Sequence, residues 1–360
     1  MIKVLIVEDS RVGQEYLVHI LTSDPAIQVV GLANDGVQAV QAVKQQRPDV
    51  ITMDIHMPKM DGFEATRRIM ESEPTPIVIV STTTSAKDMV LTFRALEAGA
   101  LAVVLRPQGI GHPEHESGVR ELIRTVKMMS EIKVVRRFPH VKKEPAPPIA
   151  PGLAVLHPAF LAGKAGTGIQ LVAMGASTGG PPVLHRILSG LPPDLAMPLL
   201  ITQHIAPGFT EGFVEWLAGV SRFPLHVAAH GELALPGHGY VAPSGSHMGI
   251  ANGPRIVLSD HTPEHGLRPS VAFLFRSVAQ VLGARAVGVL LTGMGKDGAE
   301  ELKAMRDKGA ITIAQDEASS VVHGMPGEAI KLGAAMYVLP PAAIAALLAG
   351  LTRKTKGGPG

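Results

Sequence analysis

Three residues in the second half of the chain could together carry out acyl transfer: Ser177, His204 and Asp297. Ser177 is the centre of Gly175-Ala176-Ser177-Thr178-Gly179, a G-x-S-x-G pattern that follows the apolar run Leu171–Met174. A serine on so sharp a strand-to-turn elbow is pushed clear of the sheet, where a base can reach its hydroxyl. The flanking glycines supply backbone angles and a close approach that a Cβ would forbid. The chemistry also needs an imidazole to take the hydroxyl proton and a carboxylate to orient that imidazole. His204 directly follows the run Pro198–Gln203, and Asp297 lies just beyond Val287–Thr292, so all three fall at the carboxyl ends of expected strands. Each partner has a plainer reading. His204 can simply mark a strand end, and Asp297-Gly-Ala-Glu300 has the spacing of a helix capping box. Spacing alone leaves both open.

Of the 15 histidines, His226, His230, His247, His261, His265 and His323 have no comparable setting and are read as surface or loop residues. No H-E-x-x-H spacing occurs, which argues against a metallohydrolase. The chain has no cysteine, which excludes a disulfide scaffold, a thiol nucleophile and a Cys-ligated zinc.

The first half carries a different set of groups. Glu8 and Asp9 close one apolar run, and Asp54 closes another in Ile-Thr-Met-Asp-Ile-His-Met-Pro-Lys-Met-Asp-Gly. In a parallel sheet the carboxyl ends share one edge, where ligands bind at the switch point. Carboxylates gathered there repel one another unless a hard cation sits between them, and an oxygen-only donor set with room for water suits Mg²⁺. Ser81 and Arg106 end the next two strands, adding a hydroxyl and a cation to the same edge. Acids, hydroxyl and cation together make a place for a phosphoryl group.

The elements that must position these groups alternate regularly. Expected strands at Ile2–Val7, Gln28–Ala33, Val50–Met53, Ile77–Ser81 and Ala102–Leu105 are separated by helical stretches such as Val12–Thr22, Gly36–Gln46, Gly62–Glu71, Ala86–Ala98 and Gly118–Met129. Strands alternating with helices at this spacing indicate a doubly wound parallel sheet. A Pro-rich, basic stretch with Lys133, Arg136, Arg137, Lys142 and Lys143 reads as a linker. Alternation then resumes, with strands also at Gly239–Val241 and Ala310–Ala314 and helices at Val183–Ser189, Val271–Leu282 and Ala299–Lys308. The fold class is therefore α/β, with two doubly wound parallel-sheet domains: residues 1–127, a linker over 128–167, a second domain over 168–350, and a polar tail at 351–360.

Composition supports two ordinary cores. The chain has 360 residues, 46% of them hydrophobic, and a net charge of +2 from 33 basic and 31 acidic side chains. Nothing in that balance calls for nucleic acid as a partner. No apolar run approaches the ~20 residues of a membrane helix, and the N-terminus turns acidic too early for a signal peptide. The expectation is a cytoplasmic, monomeric protein without membrane insertion.

The N-terminal groups resemble the receiver domain of two-component response regulators, a flavodoxin-like fold, over essentially all of residues 1–127. The resemblance implies that Asp54 takes a phosphoryl group from phosphohistidine on a partner kinase. It also implies that Glu8, Asp9, Asp54 and the backbone carbonyl of His56 hold Mg²⁺, and that Ser81 acts as a switch. Two positions depart from the pattern: Arg106 stands where Lys is usual, and Val103 where an aromatic residue is often found. Arg is a planar fork and Lys a point charge, so the first exchange bears on phosphorylation.

The second domain resembles the CheB family of chemotaxis protein-glutamate methylesterases. The resemblance rests on Gly-Ala-Ser177-Thr-Gly-Gly-Pro, Gln-His204, Ala-Pro-Ser-Gly-Ser-His-Met (242–248), Arg-Pro-Ser-Val (268–271), Leu-Thr-Gly-Met-Gly-Lys-Asp297-Gly and His-Gly-Met-Pro (323–326). Ala206, Ser244 and the segment Ala229-His230-Gly231 depart from it without touching the three candidates. It implies that Ser177 attacks the γ-methyl ester of a glutamate on a methyl-accepting chemoreceptor. His204 would then be the base and Asp297 its orienting acid, with backbone N–H groups near Thr178 or Met294 for the oxyanion and no cofactor for the esterase step. The same chemistry would deamidate receptor glutamines. A chemotaxis-type histidine kinase would be the phosphoryl donor, and phosphate on Asp54 would open access that the receiver restricts.

Two other functions fit parts of the sequence: a receiver-linked α/β-hydrolase acting on a small ester, and a non-enzymatic response regulator. The order Ser, His, Asp differs from the Ser, acid, His order of α/β-hydrolases. The complete candidate triad disfavours a purely binding role.

Overall fold

Each apolar run of the first half forms one strand of a single parallel sheet. The computed structural model describes residues 1–82, 86–132, 134 and 168–352. The chain divides into two compact units, Met1–His140 and Val141–Gly360. In the first, β1 (Ile2–Val7), β2 (Ile27–Ala33), β3 (Val50–Met53), β4 (Ile77–Ser81) and β5 (Ala102–Leu105) pair in the order β2-β1-β3-β4-β5. Both faces are covered by helices, so β3 and β4 are buried throughout and read as unbroken apolar runs. The helices are α1 (Arg11–Thr22), α2 (Gly36–Gln46), α3 (Gly62–Ser72), α4 (Ala86–Ala98) and α5 (His115–Ser130). Ser10, Asp35 and Asp61 cap the first three, each accepting from the N–H three residues on.

Several element bounds differ from the expected ones, β2, α1 and α3 by one residue each. α5, expected over Gly118–Met129, spans His115–Ser130 and so runs past residue 127, with Leu122, Val126 and Met129 buried. The basic residues Lys133, Arg136, Arg137, Lys142 and Lys143 of the expected linker lie outside the described residues. At the far end, Leu351 and Thr352 fall in the expected polar tail. They close a helix instead, with Leu351 buried.

The second unit is built on β6 (Leu171–Ala176), β7 (Leu199–Gln203), β8 (Leu225–Val227), β9 (Gly239–Val241), β12 (Ala286–Leu290), β13 (Ile311–Gln315) and β14 (Tyr337–Leu339). They form a parallel sheet in the order β14-β13-β12-β6-β7-β9-β8. An antiparallel hairpin, β10 (His247–Ala251) with β11 (Arg255–Ser259), packs beside it. The helices are α6 (Gly180–Ser189), α7 (Thr210–Ala218), α8 (Val271–Val281), α9 (Ala299–Asp307), α10 (Met325–Lys331) and α11 (Pro341–Thr352).

One core cluster gathers Leu274, Phe275 and Val278 of α8 with Met248, Ile250 and Ile256 of the hairpin, and reaches Leu302 and Met305 of α9. Full burial of such side chains contributes about 1.5–3 kcal/mol each. That cluster fixes α8 against the sheet, and the position of α8 matters for the site. Among the described residues, no helix is long and apolar enough to cross a membrane.

Candidate active site and acidic cluster

Three adjacent strands carry the acyl-transfer candidates: β6 leads to Ser177, its neighbour β7 to His204, and β12 on the other side to the loop holding Asp297. Their register makes the strand ends converge, with Ala176 paired to Gln203. The backbone N–H of His204 donates to Ala176 O at 3.0 Å. The N–H of Ser177 donates to Thr292 O at 3.0 Å, which ties the serine to the strand on its other side. Gln203, at the end of β7, donates its amide to Ser177 O at 2.9 Å and to His204 O at 2.8 Å.

The elbow depends on two glycines. Gly179 has φ 77°, the left-handed region, and turns the chain from Ser177 into α6. Gly293 lets its loop close on the serine: a Cβ there would lie 2.7 Å from Ser177 Cβ and 2.2 Å from Met325 Sδ. Met294 follows in that loop, exposed, and Thr178 is half-buried beside the serine with its carbonyl accepting from Thr292 Oγ1 at 3.0 Å.

Asp297 is buried and meets His204 Nε2 through Oδ2 at 2.9 Å. It accepts three further bonds. Ser270 Oγ and Ala272 N reach Oδ1 at 2.9 and 3.0 Å, and Val271 N reaches Oδ2 at 2.7 Å. Burial alone would raise its pKa, but His204 and the N–H groups of Val271 and Ala272 outweigh that and hold the carboxyl below its ordinary value.

The capping box suggested by Asp297 and Glu300 does not form. α9 starts after Gly298, which gives no side-chain cap, and Asp297 instead caps the N-terminus of α8, a helix far away in sequence. Among the described residues, no hydrogen bond joins Ser177 Oγ to His204. With Nε2 committed to Asp297, Nδ1 is the ring nitrogen left for the serine.

The remaining histidines divide. His226, His230, His261 and His265 are exposed, and His323 is half-buried in a short bridge to Gly293. His247 does not fit the surface reading: it opens β10 and is fully buried. It packs on Phe273 because it sits at the seam between the hairpin and α8. Ser270 and Gln203 also belong to the site, although the sequence does not single them out. Ser270 lies in the block 268–271 and Gln203 adjoins His204, but neither residue type announces a role.

In the first unit, Glu8 and Asp9 follow β1 and Asp54 follows β3, at the point where the strand order reverses. Their carboxylate oxygens lie within 4.8 Å of one another, with Glu8 and Asp54 buried and Asp9 exposed. Asp54 Oδ1 accepts from Ile55 N at 2.7 Å and His56 N at 3.4 Å. Burial, opposed by Arg106 and reinforced by Asp54 and Asp9, pushes Glu8 up to about 7, and burial raises Asp54 as well. Arg106 forms an ion pair with Glu8 through Nη2, while its Nε is buried without a partner among the described residues. Ser81 is buried at the end of β4 on the same edge. An all-oxygen set this close, with one open carboxylate, fits a hard divalent cation.

Fold and side chains together define a response regulator whose receiver unit is joined to an α/β unit bearing a serine, a histidine and an aspartate on neighbouring strands. Residues 4–112 match the response regulator receiver domain, and residues 172–348 match the CheB methylesterase domain. The chain is 55% identical over 354 residues to "Protein-glutamate methylesterase/protein-glutamine glutaminase" of Nitrosospira multiformis, covering 98% of this chain and 97% of that protein. It is 53% identical over 352 residues to a Geobacter metallireducens protein of that name numbered 4, covering 98% and 99%. Among solved structures it is similar to the Thermotoga maritima CheB methylesterase catalytic domain, with 34% identity, a TM-score of 0.48, and coverage of 51% of this chain and 98% of that one. The chain belongs to the CheB methylesterase family.

Proposed function

We propose that the protein hydrolyses glutamate γ-methyl esters on chemoreceptors, releasing methanol, and deamidates receptor glutamines by the same route. The His204–Asp297 contact of 2.9 Å, beside a serine elbow, carries this reading. The names of relatives aligned over nearly the whole chain support the substrate.

In this mechanism His204 Nδ1 takes the Ser177 proton as Oγ attacks the ester carbonyl carbon. Asp297, ionised and held by the α8 N-terminus, stabilises the imidazolium that results. The oxyanion is met by backbone N–H groups of the elbow or its neighbouring loop, with Thr178 and Met294 the candidates. As the C–O bond to the methoxy group breaks, the imidazolium returns the proton and methanol leaves. Water then attacks the acyl-enzyme and gives a proton to His204, which passes it to Ser177 Oγ as glutamate is freed. No cofactor enters these steps. An amide substrate follows the same path and releases ammonia.

Asp54 is the proposed phosphoryl acceptor, with a chemotaxis-type histidine kinase as donor. Glu8, Asp9, Asp54 and the carbonyl of His56 would hold Mg²⁺, which when bound offsets the charge of the phosphoryl oxygens. Ser81 and Arg106 would bind those oxygens and couple phosphorylation to access at Ser177. The protein would act as a cytoplasmic monomer. The reading is tested by quantifying methanol from methylated receptor membranes. Wild type should release it, and Ser177→Ala should fall to the uncatalysed level; release unaffected by that substitution would refute the assignment.

A further inference from the structure

His247 has no part in the chemistry above, although it is fully buried and hydrogen-bonded on both ring nitrogens. Its ring stacks on Phe273, with centroids 4.9 Å apart and planes 17° from parallel. Nδ1 lies 3.2 Å from the backbone N–H of Ser270, and Nε2 lies 3.3 Å from the carbonyl of Thr262. An amide N–H only donates and a carbonyl only accepts, so these partners fix a neutral ring with its proton on Nε2. Ser270, also fully buried, then gives its hydroxyl to Asp297 Oδ1 at 2.9 Å. A continuous line of hydrogen bonds therefore runs from Thr262 through His247, Ser270 and Asp297 to His204.

We propose that His247 and Ser270 are positioning residues for the esterase reaction, holding Asp297 in the orientation that sets His204. The inference rests on the reading of Ser177, His204 and Asp297 as the catalytic group. Ser270 sits directly before α8, whose first two N–H groups also bind Asp297. Each carboxylate oxygen thus accepts from one α8 N–H group and one side chain, which leaves the group no free rotation.

Removing the Ser270 hydroxyl would leave Oδ1 with one donor. Removing the His247 acceptor would strand the N–H of Ser270 in a buried place, and such a group costs free energy until it finds a partner. Segment 270–272 would shift to satisfy it, and Asp297 would move with that segment. Displacements on the order of 1 Å at this remove from the chemistry can cost about a hundredfold in rate.

The test uses the full-length protein and three variants: Ser270→Ala, His247→Leu and His247→Asn. Leu fills the space against Phe273 but offers no acceptor. Asn places Oδ1 where Nδ1 stood and so still accepts from Ser270, at the expense of the stacking. For each, kcat and KM for methanol release are measured with the melting temperature. Proton NMR also records the downfield resonance of His204 Nε2–H, assigned by its absence in His204→Gln.

Ser270→Ala and His247→Leu should lower kcat by between about ten- and a hundredfold with KM within about twofold. Both should shift the His204 resonance, and His247→Asn should recover most of the lost kcat even with a lower melting temperature. A kcat that follows melting temperature across the three, or a resonance unmoved in the first two, would make these residues core packing only and overturn the proposal. Wild type that releases no methanol would refute the esterase reading instead, while the resonance would still show whether Ser270 and His247 set His204.

Discussion

Asp297 meets His204 at Nε2, 2.9 Å from Oδ2, and the same carboxylate caps α8 through Val271 and Ala272. One buried group therefore orients the base and anchors a helix that packs into the main core cluster. The coupling makes catalysis and local stability hard to separate at this residue, and it shapes what substitutions there should do.

Asp297→Asn retains the size of the side chain and one acceptor oxygen but turns the other into a donor. With its NH₂ toward His204, the amide forces the imidazole proton onto Nδ1, the nitrogen that must take the proton of Ser177. Methanol release should drop roughly 10³–10⁴-fold in kcat, as expected when a triad acid is replaced by its amide. Asp297→Ala should in addition lower stability by about 1–2 kcal/mol through the lost cap, read by denaturant unfolding.

The depressed pKa of Asp297 has a signed consequence for stability. Its folded value lies below the ordinary 3.8, so the ionised group contributes stability that is fully present above that pH. The contribution disappears as pH falls from 3.8 through the folded value. Melting temperatures of wild type and Asp297→Asn should differ by a constant amount above this window and converge within it.

Much of the framework that positions these groups is legible in the sequence. β1, β3, β4 and β5 match their expected spans residue for residue, because each is a short, largely apolar run bounded by polar or turn residues. The three strand-end residues Ser177, His204 and Asp297 followed from the same logic. The β10–β11 hairpin was missed although Asn252-Gly253, both at positive φ, is a recognised hairpin signal. α11 escaped because its apolar residues show no helical period. The roles of Ser270 and His247 had no local signature: both depend on the hairpin and α8 meeting in space.

The close approach at Gly293 predicts a sharp penalty for any side chain there. Gly293→Ala would drive a Cβ to 2.2 Å from Met325 Sδ and 2.7 Å from Ser177 Cβ. Stability should fall by about 1–3 kcal/mol, the usual range for overpacking. The loss of kcat should exceed what the unfolded fraction explains, because the nucleophile itself is displaced.

Phosphorylation at the acidic cluster should require both Asp54 and a divalent cation. A small acyl phosphate should label the wild-type protein in Mg²⁺, with no label in Asp54→Ala or after chelation, as phosphate-affinity electrophoresis would report. The Asp54→Ala protein should also show esterase activity that does not respond to the phosphoryl donor.

The central claim is that Ser177 mediates hydrolysis of receptor glutamyl esters, and the fate of the substrate itself tests it most directly. Methylated receptor incubated in heavy-oxygen water can be digested and its glutamate peptides weighed by mass spectrometry. With wild type, the peptides should lose the methyl group and gain one heavy oxygen in the new carboxylate. With Ser177→Ala they should remain methylated and unlabelled. Demethylated, labelled peptides in the Ser177→Ala reaction, at the wild-type rate, would contradict the account.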